Sequence, residues 1–292
     1  MNERYTGSVF FRALCGKNRE HVQVDCSPAS GVADAFFEDG FVLVPRVFAP
    51  AELQALAEHV FHLRQPSPAA RLKYGVDGYE LLGKNALDEL TPRELVGIER
   101  LLRLHIFDLP TRQMMLDPRL IDLVRRLWPG DPLGVSALYY PKPPGARGFA
   151  LHSDTGYLPT DPPELAGCFI AVDDADADNG ALSLVRGSHR LSDIERRAIP
   201  THEFIFPEEF IQPAGSELVL VPMKAGDVLL FHGNSLHASL PNRTTARWRR
   251  AFICHYISAA VRSVSEELNP AYRITGEEVP APGHTSVGRP SS

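Results

Sequence analysis

The spacing of apolar residues changes about halfway along the chain. In the first half, apolar residues recur every three to four positions, which is the period of an amphipathic helix. The helices that this spacing predicts cover Val32–Phe37, the segment from Ala49 to Val60, the segment from Thr91 to Leu102, and Pro118–Leu127. A strand is predicted over Phe41–Val44, so the first half is expected to be largely helical with one early strand.

After Pro132 the apolar residues form short runs, separated by turn residues such as Asp178-Asn179-Gly180. Such runs are typical of buried strands. The predicted strands are Val135–Tyr140, Gly167–Val172, Ala181–Val185, Leu218–Val221, Val228–Phe231 and Ala251–Ile257. Helices followed by a series of short strands predict one α+β domain with a closed or sandwiched β core. The pattern alone does not distinguish one β barrel from another.

Composition divides the chain into three predicted parts. Residues 1–30 are weakly patterned and are predicted to form an N-terminal arm. Residues 31–262 form the predicted domain. Residues 263–292 are rich in Pro, Gly and Ser and have few apolar side chains, so they are predicted to form a C-terminal tail.

Two segments without a clear pattern could lie near a substrate. Segment 66–88 carries four side chains that either line a pocket or belong to a plain surface loop: Tyr74, Tyr79, Leu81 and Asn85. The segment 191–217 is long for a connection inside a compact domain, and it is interpreted as either a lid or a disordered insert. Its aromatic part, Phe204–Phe210, weakly indicates an apolar or aromatic substrate.

The charge and cysteine content exclude some classes of function. The 292 residues include 30 Lys and Arg against 36 Asp and Glu, a formal net charge of −6. No long basic run exists, so the sequence predicts neither nucleic acid nor an anionic membrane as a partner. The four cysteines form no Cys-x-x-Cys pair, and the N-terminus lacks the apolar run of a signal peptide. These features predict a reduced, cytoplasmic protein that does not span a membrane.

The first candidate for metal chemistry is the pair His152 and Asp154. Residues two apart on an extended strand point to the same face, so an imidazole and a carboxylate would share one space. Such a pair is common by chance, and a solvated strand end is the alternative. His237 adds a second histidine after the predicted strand Val228–Phe231. Two histidines and one carboxylate form the facial triad of non-haem Fe(II) oxygenases, and an arginine beyond them can hold a dicarboxylate.

Several short motifs occur in an order that resembles one protein family. They are Lys142-Pro143-Pro144, His152-Ser153-Asp154, Asn179-Gly180-Ala181-Leu182, Gly187-Ser188-His189, Gly226-Asp227, Phe231-His232, His237-Ala238-Ser239 and Arg249-Arg250-Ala251. Together they cover roughly Ala33 to Ser258 and resemble the phytanoyl-CoA dioxygenase family of Fe(II)- and 2-oxoglutarate-dependent oxygenases. The family commonly has Gln where this chain has Ser153, a departure that touches no metal ligand. The resemblance implies a double-stranded β-helix, a cupin-like jelly-roll core with flanking helices.

The resemblance also implies a role for each candidate site residue. Fe(II) would be held by His152, Asp154 and His237, with 2-oxoglutarate chelating the metal and O2 taking the remaining position. Arg249 matches the arginine that pairs with the far carboxylate of 2-oxoglutarate, and Arg250 is the alternative. Further contacts to this cosubstrate are expected from Ser239, Lys142 and Tyr140, while a surface lysine is the other interpretation of Lys142. The resemblance gives His232 a packing role or a role in supporting a metal ligand, and it places His189 in a structural turn, with a mobile surface histidine as the alternative. His255 is interpreted as a core histidine on the same face as Arg249.

The implied function is a dioxygenase that oxidises, most simply hydroxylates, an unactivated C–H bond of a small molecule. Asp154 fills a position that is small in related halogenases, so halogenation is disfavoured, whereas desaturation, epimerisation and ring formation stay open. A free or carrier-bound intermediate of natural-product biosynthesis is the preferred substrate class. The alternatives are a metal-dependent hydrolase or isomerase on the same barrel, and a non-catalytic jelly-roll binding protein.

Overall fold

The computed structural model describes residues 31–63 and 90–284, with the exception of 92, 94–95, 97–99, 200–201 and 206. Within those residues the α-helices are α1 (Val32–Asp39), α2 (Pro50–His62), α3 (Leu104–Phe107), α4 (Leu109–Met115) and α5 (Pro118–Val124). Helix α1 ends at Gly40, whose φ of 87° lies in the left-handed region that favours glycine. Helix α2 begins with Pro50, and the side chain of Glu52 accepts a hydrogen bond from the N–H of Ala49 at 2.8 Å.

The strands are short and most of them follow the helices. They are β1 (Phe41–Val44), β2 (Leu133–Tyr140), β3 (Phe149–His152), β4 (Thr160–Asp161), β5 (Leu165–Ala171), β6 (Leu182–Val185), β7 (Arg196–Ala198), β8 (Glu208–Phe210), β9 (Leu218–Val221), β10 (Val228–His232), β11 (His237–Ser239), β12 (Ala251–Ile257), β13 (Ser263–Val264), β14 (Ala271–Tyr272) and β15 (Glu278–Val279). Each strand predicted from the apolar runs is present, with bounds that agree to within two residues.

Two antiparallel sheets form the β core. The large sheet has seven strands in the order β1-β10-β5-β12-β2-β14-β15, and the small sheet has four in the order β3-β11-β6-β9. Of the strands between β2 and β12, the large sheet takes β2, β5, β10 and β12, and the small sheet takes β3, β6, β9 and β11. The chain therefore crosses repeatedly from one sheet to the other, and residues far apart in sequence become neighbours.

The large sheet is buried on both faces. On one face its side chains pack against the helices, in a cluster that includes Phe36, Leu53, Leu120, Leu230 and Phe252. On the other face they pack against the small sheet, in a cluster that includes Phe169, Leu182, Leu184, Leu229 and Ile253. Since neighbouring residues on a strand point to opposite faces, a strand that is buried on both faces has a continuous apolar run. This is why β5 and β12 could be predicted from such runs.

The prediction that residues 263–292 form a tail is wrong for 263–284. Strand β14 pairs with β2 at the edge of the large sheet, and β15 pairs with β14. The side chains of Leu268, Ala271 and Tyr272 are buried, and the Tyr272 hydroxyl lies 2.8 Å from a carboxylate oxygen of Glu278. This segment therefore completes the fold. The predicted arm, 1–30, lies outside the described residues.

The helical half of the chain also differs from the prediction in places. The helix predicted from Thr91 lies partly outside the described residues, and its predicted end is not helical. Leu101 instead forms an isolated antiparallel bridge with Tyr139, through N–H···O bonds of 2.8 and 2.9 Å. Helices α3 and α4 were not predicted. In the part of the chain that is described, no helix is both long and apolar enough to cross a bilayer.

Candidate active site

His152 and His237 are cross-strand neighbours in the small sheet. His152 ends β3, and His237 begins β11 directly opposite it in the antiparallel pairing. Their ring centroids are 4.2 Å apart. The Nδ1 of His152 lies 2.7 Å from the carbonyl oxygen of Ala150, and that of His237 lies 3.0 Å from the carbonyl oxygen of Ser235. A carbonyl oxygen only accepts, so Nδ1 carries the hydrogen in both rings and each Nε2 presents a lone pair.

Asp154 completes the cluster from a turn and not from the strand. Strand β3 ends at His152, and Asp154 opens the 3-10 turn Asp154–Gly156. The prediction that the pair lies along one strand is therefore wrong, although the two side chains do converge. The Oδ1 of Asp154 lies 3.6 Å from Nε2 of His237 and 4.0 Å from Nε2 of His152. The three donor atoms lie within 4.8 Å of one another, so one metal ion could contact all three.

The protonation states of the cluster suit metal binding. Burial, together with the charge of His237, lowers the pKa of His152 to about 3. Burial alone raises the pKa of Asp154, but the charges of His237 and His255 and the hydrogen bond from His255 outweigh it and bring this pKa below its ordinary value. At neutral pH the cluster therefore offers a neutral imidazole at His152 and an ionised carboxylate at Asp154, the forms that ligate metals.

His255 holds the carboxylate of this cluster, a role that the sequence did not reveal. Its Nε2 lies 2.9 Å from Oδ2 of Asp154, and its side chain is buried. The signal available in the sequence was the alternation along β12, which places His255 on the same face as Arg249, Ala251 and Ile253. That alternation indicates the inward direction of His255, but it does not show that Asp154 lies opposite.

Arg249 reaches the same space, whereas Arg250 points outward. The guanidinium of Arg250 forms an ion pair with Asp173, Nη2 to Oδ1 at 2.6 Å, on the helix-facing side of the sheet. Arg249 is 2% exposed, and its Nε and Nη1 have no hydrogen-bond partner. Its guanidinium lies 5.4 Å from the ring centroid of Phe169, and burial lowers its pKa to about 10. Of the two alternatives, the structure thus brings Arg249 to the site.

Lys142, Ser239 and Tyr140 surround the guanidinium end of the site. The Nζ of Lys142 donates to Oγ of Ser239 at 2.9 Å and to the carbonyl oxygen of Leu240 at 2.5 Å. Lys142 is 3% exposed, so the interpretation as a surface lysine is wrong. Burial, and then the charge of Arg249, bring the pKa of Lys142 well below its ordinary value. The backbone of Lys142 has a φ of 24°, a strained value that is typical of functional positions.

One cavity is lined both by the His152, Asp154 and His237 cluster and by residues around Arg249. It encloses ≈ 410 Å³, part of which opens to solvent, and His152, Asp154 and His237 line it together with Tyr140, Ser239 and Arg249. The rest of its lining is largely apolar: Phe149, Phe169, Leu182, Phe231 and Ile253, with His255 beside the metal cluster. A mostly apolar cleft with a few convergent polar groups is the usual form of a small-molecule site.

Other candidates lie away from this cavity. His232 packs against His189, with ring centroids 5.3 Å apart, which agrees with the packing role expected for His232. His189 lies buried in the 3-10 turn Ser188–Arg190, as the structural-turn interpretation expected. Phe204 and Phe210 belong to a cluster with Leu151 and Ala238 on the outer face of the small sheet, and they do not line the cavity. The aromatic indication of an apolar substrate from these residues is therefore not supported. The four side chains of segment 66–88 lie outside the described residues.

Within residues 191–217, strand β7 pairs antiparallel with β8, so the described part of this segment is not a disordered insert. Through the bridge between Phe204 and Gly148 this segment lies along the small sheet. Whether it also covers the cavity as a lid stays a prediction.

Known proteins resemble this chain in sequence and in fold. A Caenorhabditis elegans protein, phytanoyl-CoA dioxygenase domain-containing protein 1 homolog, is 26% identical over 269 residues, 80% of this chain and 92% of its own. The non-heme monooxygenase ThoJ superposes with a TM-score of 0.61 at 23% identity, over 89% of both chains. The epimerase SnoN, in complex with Fe3+, alpha ketoglutarate and nogalamycin RO, has a TM-score of 0.58 at 19% identity, over 80% of this chain and 85% of its own. These two structures share the fold.

The match to a family covers most of the described chain. Residues 36–251 match the phytanoyl-CoA dioxygenase (PhyH) family, and this range contains His152, Asp154, His237 and Arg249. The chain therefore belongs to the phytanoyl-CoA dioxygenase family.

Proposed function

We propose that this protein is an Fe(II)- and 2-oxoglutarate-dependent dioxygenase that oxidises a C–H bond of a small molecule, most simply by hydroxylation. One observation carries the proposal: the His152, Asp154 and His237 cluster and the buried, unpartnered guanidinium of Arg249 line the same cavity. The metal cluster alone would fit several activities. A buried arginine in the same cavity favours those activities that use an anionic cosubstrate such as 2-oxoglutarate.

The donor set fits ferrous iron. Two imidazole nitrogens and one carboxylate oxygen form the facial arrangement that non-haem Fe(II) oxygenases use. The hydrogen bonds from Nδ1 of His152 and of His237 to backbone carbonyls set the tautomer that directs Nε2 to the metal. Since the three donors come from one side, the opposite side is left for a chelating cosubstrate and for O2.

Arg249 fits the far carboxylate of 2-oxoglutarate. A buried guanidinium whose Nε and Nη1 have no hydrogen-bond partner is costly, and a carboxylate is the acceptor with which a guanidinium pairs most strongly. Ser239 and Lys142 add polar groups beside it, and Tyr140 lines the same wall. We therefore include contacts of Ser239, Lys142 and Tyr140 with 2-oxoglutarate in the proposal, as the family resemblance implied.

The protein contributes positioning and exclusion of water. When bound, iron with 2-oxoglutarate and O2 supplies the oxidising power for attack on a C–H bond. His255 orients the Asp154 carboxylate, and Arg249 sets the direction of the cosubstrate. The apolar walls formed by Phe149, Phe231 and Ile253 keep the space dry and leave the target carbon of a substrate facing the metal cluster.

The fold supports the same proposal. Eight strands divided equally between two antiparallel sheets, with helices on one side, support a double-stranded β-helix, or jelly roll, as the core. The likeness to SnoN, which was solved in complex with nogalamycin RO, is consistent with a free or carrier-bound natural-product intermediate as the substrate. That structure is an epimerase, so its likeness does not indicate the reaction type. Hydroxylation is proposed because it is the simplest outcome of C–H oxidation.

The alternatives fit the site less well. A metal hydrolase or isomerase on the same barrel would use the cluster, but it has no need for a buried arginine directed at a dicarboxylate. A non-catalytic binding protein has no need for three metal donors that converge within 4.8 Å of one another. The family match further favours an oxygenase.

The test is an anaerobic titration of the purified protein with Fe(II) and then with 2-oxoglutarate, followed by a metabolite screen scored by succinate release. His152→Ala and Asp154→Ala are expected to abolish Fe(II) binding measured by calorimetry. Retained iron affinity in both variants, or iron binding without any response to 2-oxoglutarate in the unchanged protein, would contradict the proposal.

A further inference from the structure

An arginine of the β7–β8 pair reaches the turn that carries Asp154. Arg196, the first residue of β7, is the cross-strand partner of Phe210 on β8, and its guanidinium lies 4.4 Å from the centroid of that ring. Its Nη2 would lie 3.4 Å from a Cβ built at Gly156, the last residue of the 3-10 turn Asp154–Gly156. The side chain of Arg196 therefore lies beside the turn that positions a proposed metal ligand.

Gly156 leaves an open recess between two polar groups. A Cβ at Gly156 would also lie 3.3 Å from Oγ of Ser153. Apart from Ser153, Arg196 and the chain neighbours of Gly156, no described residue would bring a heavy atom within 4 Å of that Cβ. A guanidinium N–H and a hydroxyl thus border the same space, and both can donate a hydrogen bond to an anion. We call this space, bounded by Ser153, Gly156 and Arg196, the Gly156 recess.

The guanidinium of Arg196 is available to an anion. Arg196 is exposed, and within the described part of the chain no carboxylate forms an ion pair with it. The neighbouring Arg197 differs, because its Nε donates to Oε1 of Glu209 at 2.9 Å. Phe210 contacts one face of the Arg196 guanidinium and holds it by a cation–π interaction, which leaves the N–H groups at its edge free to pair with an anion.

The recess lies at the open end of the active-site cavity. Tyr140 and Asp154 are half-buried, whereas the other residues that line this cavity are buried. Tyr157 follows the recess in the chain; it is 48% exposed, and its ring centroid lies 6.2 Å from that of His152. Burial raises the pKa of Tyr157 and the charge of Arg196 opposes this rise, so the guanidinium faces the same rim. A molecule at this rim would lie beside Arg196 and the metal cluster at once.

We propose that the Gly156 recess binds an anionic group, a carboxylate or a phosphate, of the small molecule that is oxidised, and that Arg196 is its anchor. This inference rests on the proposed function, because it takes the cavity as the substrate site. Arg249 is buried in the interior and Arg196 is exposed at the rim, so the two arginines hold different anions. Since Gly156 is two residues from Asp154, an anchored molecule keeps its apolar part within reach of the metal cluster.

The test compares three probes: 3-phenylpropanoate, its neutral amide 3-phenylpropanamide, and phenyl phosphate. The full chain is loaded with Fe(II) and saturating 2-oxoglutarate without oxygen, so that Arg249 is occupied, and each probe is titrated by calorimetry. At least one of the two anions is expected to bind about tenfold more tightly than the amide, because a hydrogen bond to a charged group is stronger than one to a neutral group. The anion that binds more tightly identifies the group that the substrate carries.

Four variants connect this preference to the recess. Arg196→Gln is expected to remove most of the preference for the anion and to leave the affinity for the amide unchanged, whereas Arg196→Lys should retain part of the preference. Gly156→Ala places a methyl group in the recess and should weaken anion binding without a change of charge; its Fe(II) affinity is measured alongside. Arg125→Gln is the control, because it removes an exposed charge that pairs with Asp131 just after α5, and it should leave all three affinities unchanged.

Three results would overturn the anchor. They are anions that bind no more tightly than the amide, an undiminished preference in Arg196→Gln, and an equal loss of preference in Arg125→Gln. If the unchanged protein binds Fe(II) but gives no signal with 2-oxoglutarate, the proposed function fails instead. The difference between Arg196→Gln and the unchanged protein then still decides whether an anion binds in the recess.

Discussion

The Nε2 of His255 lies 2.9 Å from Oδ2 of Asp154, and the imidazole must be the donor because an ionised carboxylate only accepts. This bond occupies one carboxylate oxygen and leaves the other, Oδ1, directed at His237 at 3.6 Å. The pair joins strand β12 of the large sheet to the turn after β3 of the small sheet. His255 therefore fixes the orientation of Asp154, the third proposed metal donor, across the gap between the two sheets.

His255→Leu is expected to lower Fe(II) affinity about 10- to 100-fold, the usual cost of removing a group that orients a metal ligand. Leucine is close to histidine in size and is apolar, so it can fill the buried position of His255 and the fold should be retained. The measurement is a competition titration against a chelator of known affinity, without oxygen.

His255→Gln is the matched variant, since its amide can still donate to Asp154, and it should retain more of the affinity than His255→Leu. His232→Gln serves as the control because His232 packs away from the cavity, against Phe36 and His189. Unchanged iron affinity in His255→Leu would show that the hydrogen bond does not position the carboxylate.

The strands could be predicted because burial acts on local sequence. Strands β9 and β12 have the predicted bounds, since β9 is entirely apolar and β12 is apolar except for His255. Helices α3 and α4 could not be predicted in this way, because α3 is only four residues long and α4 buries only Thr111 and Met115, too few to form an apolar stripe. Helix α4 depends on the side chain of Asp108, which accepts a hydrogen bond from the N–H of Thr111. One capping bond of this kind leaves no periodic signal.

The site was predictable in its residue types but not in its geometry. The spacing of His152 and Asp154 indicated a shared space, yet Asp154 reaches it from a turn after the strand. The pairing of His152 with His237 depends on the register of β3 against β11, which no local pattern contains. In the same way, the composition of residues 263–284 predicted a tail. A few apolar side chains that pack against the rest of the fold are enough to order this segment, and composition does not show such contacts.

Arg249→Gln should weaken 2-oxoglutarate binding far more than Fe(II) binding. Removing one partner of a buried, hydrogen-bonded charge pair costs about 2–5 kcal/mol, and 2 kcal/mol already corresponds to roughly a 30-fold change in affinity. The two affinities are measured separately, by calorimetry for the metal and by absorbance for the cosubstrate.

Arg250→Gln is the matched control on the neighbouring residue. Arg250 pairs with Asp173, so its loss should lower the free energy of unfolding and leave 2-oxoglutarate affinity unchanged. If Arg250→Gln weakens cosubstrate binding and Arg249→Gln does not, the assignment of the clamp to Arg249 is wrong.

Gly180→Ala should destabilise the protein and disturb the cosubstrate end of the site. Gly180 has a φ of +88°, and a Cβ there would lie 2.3 Å from the carbonyl oxygen of Leu240 and 2.8 Å from Nζ of Lys142. The backbone strain alone costs about 1–2 kcal/mol, and the contacts add to it. Gly276→Ala isolates the strain, since Gly276 has a φ of +87° and a Cβ there would meet nothing within 4 Å.

Urea unfolding of both variants checks this prediction. A larger loss of unfolding free energy in Gly180→Ala than in Gly276→Ala is expected, with weaker 2-oxoglutarate binding in Gly180→Ala alone. Equal losses in the two variants would mean that Leu240 and Lys142 move aside without cost.

The stability of the metal-free protein should fall as the pH drops from about 6.5 to about 4. Burial, and then the charge of His189, lower the pKa of His232 from its ordinary value of 6.5 to about 4. Between these two values the unfolded chain takes up a proton that the folded protein does not, so protonation favours unfolding. Thermal unfolding followed over this pH range in the presence of EDTA measures the effect without interference from metal.

His232→Asn should flatten this pH dependence, because it removes one of the histidines that must stay neutral in the folded protein. Its amide oxygen can accept the hydrogen bond that Nδ1 of His232 receives from the N–H of Asn234. Part of the slope will remain, since burial also lowers the pKa of His105. His202→Asn changes an exposed histidine and should leave the slope as it was. An equal slope in His232→Asn and the unchanged protein would show that His232 takes up its proton without loss of the fold.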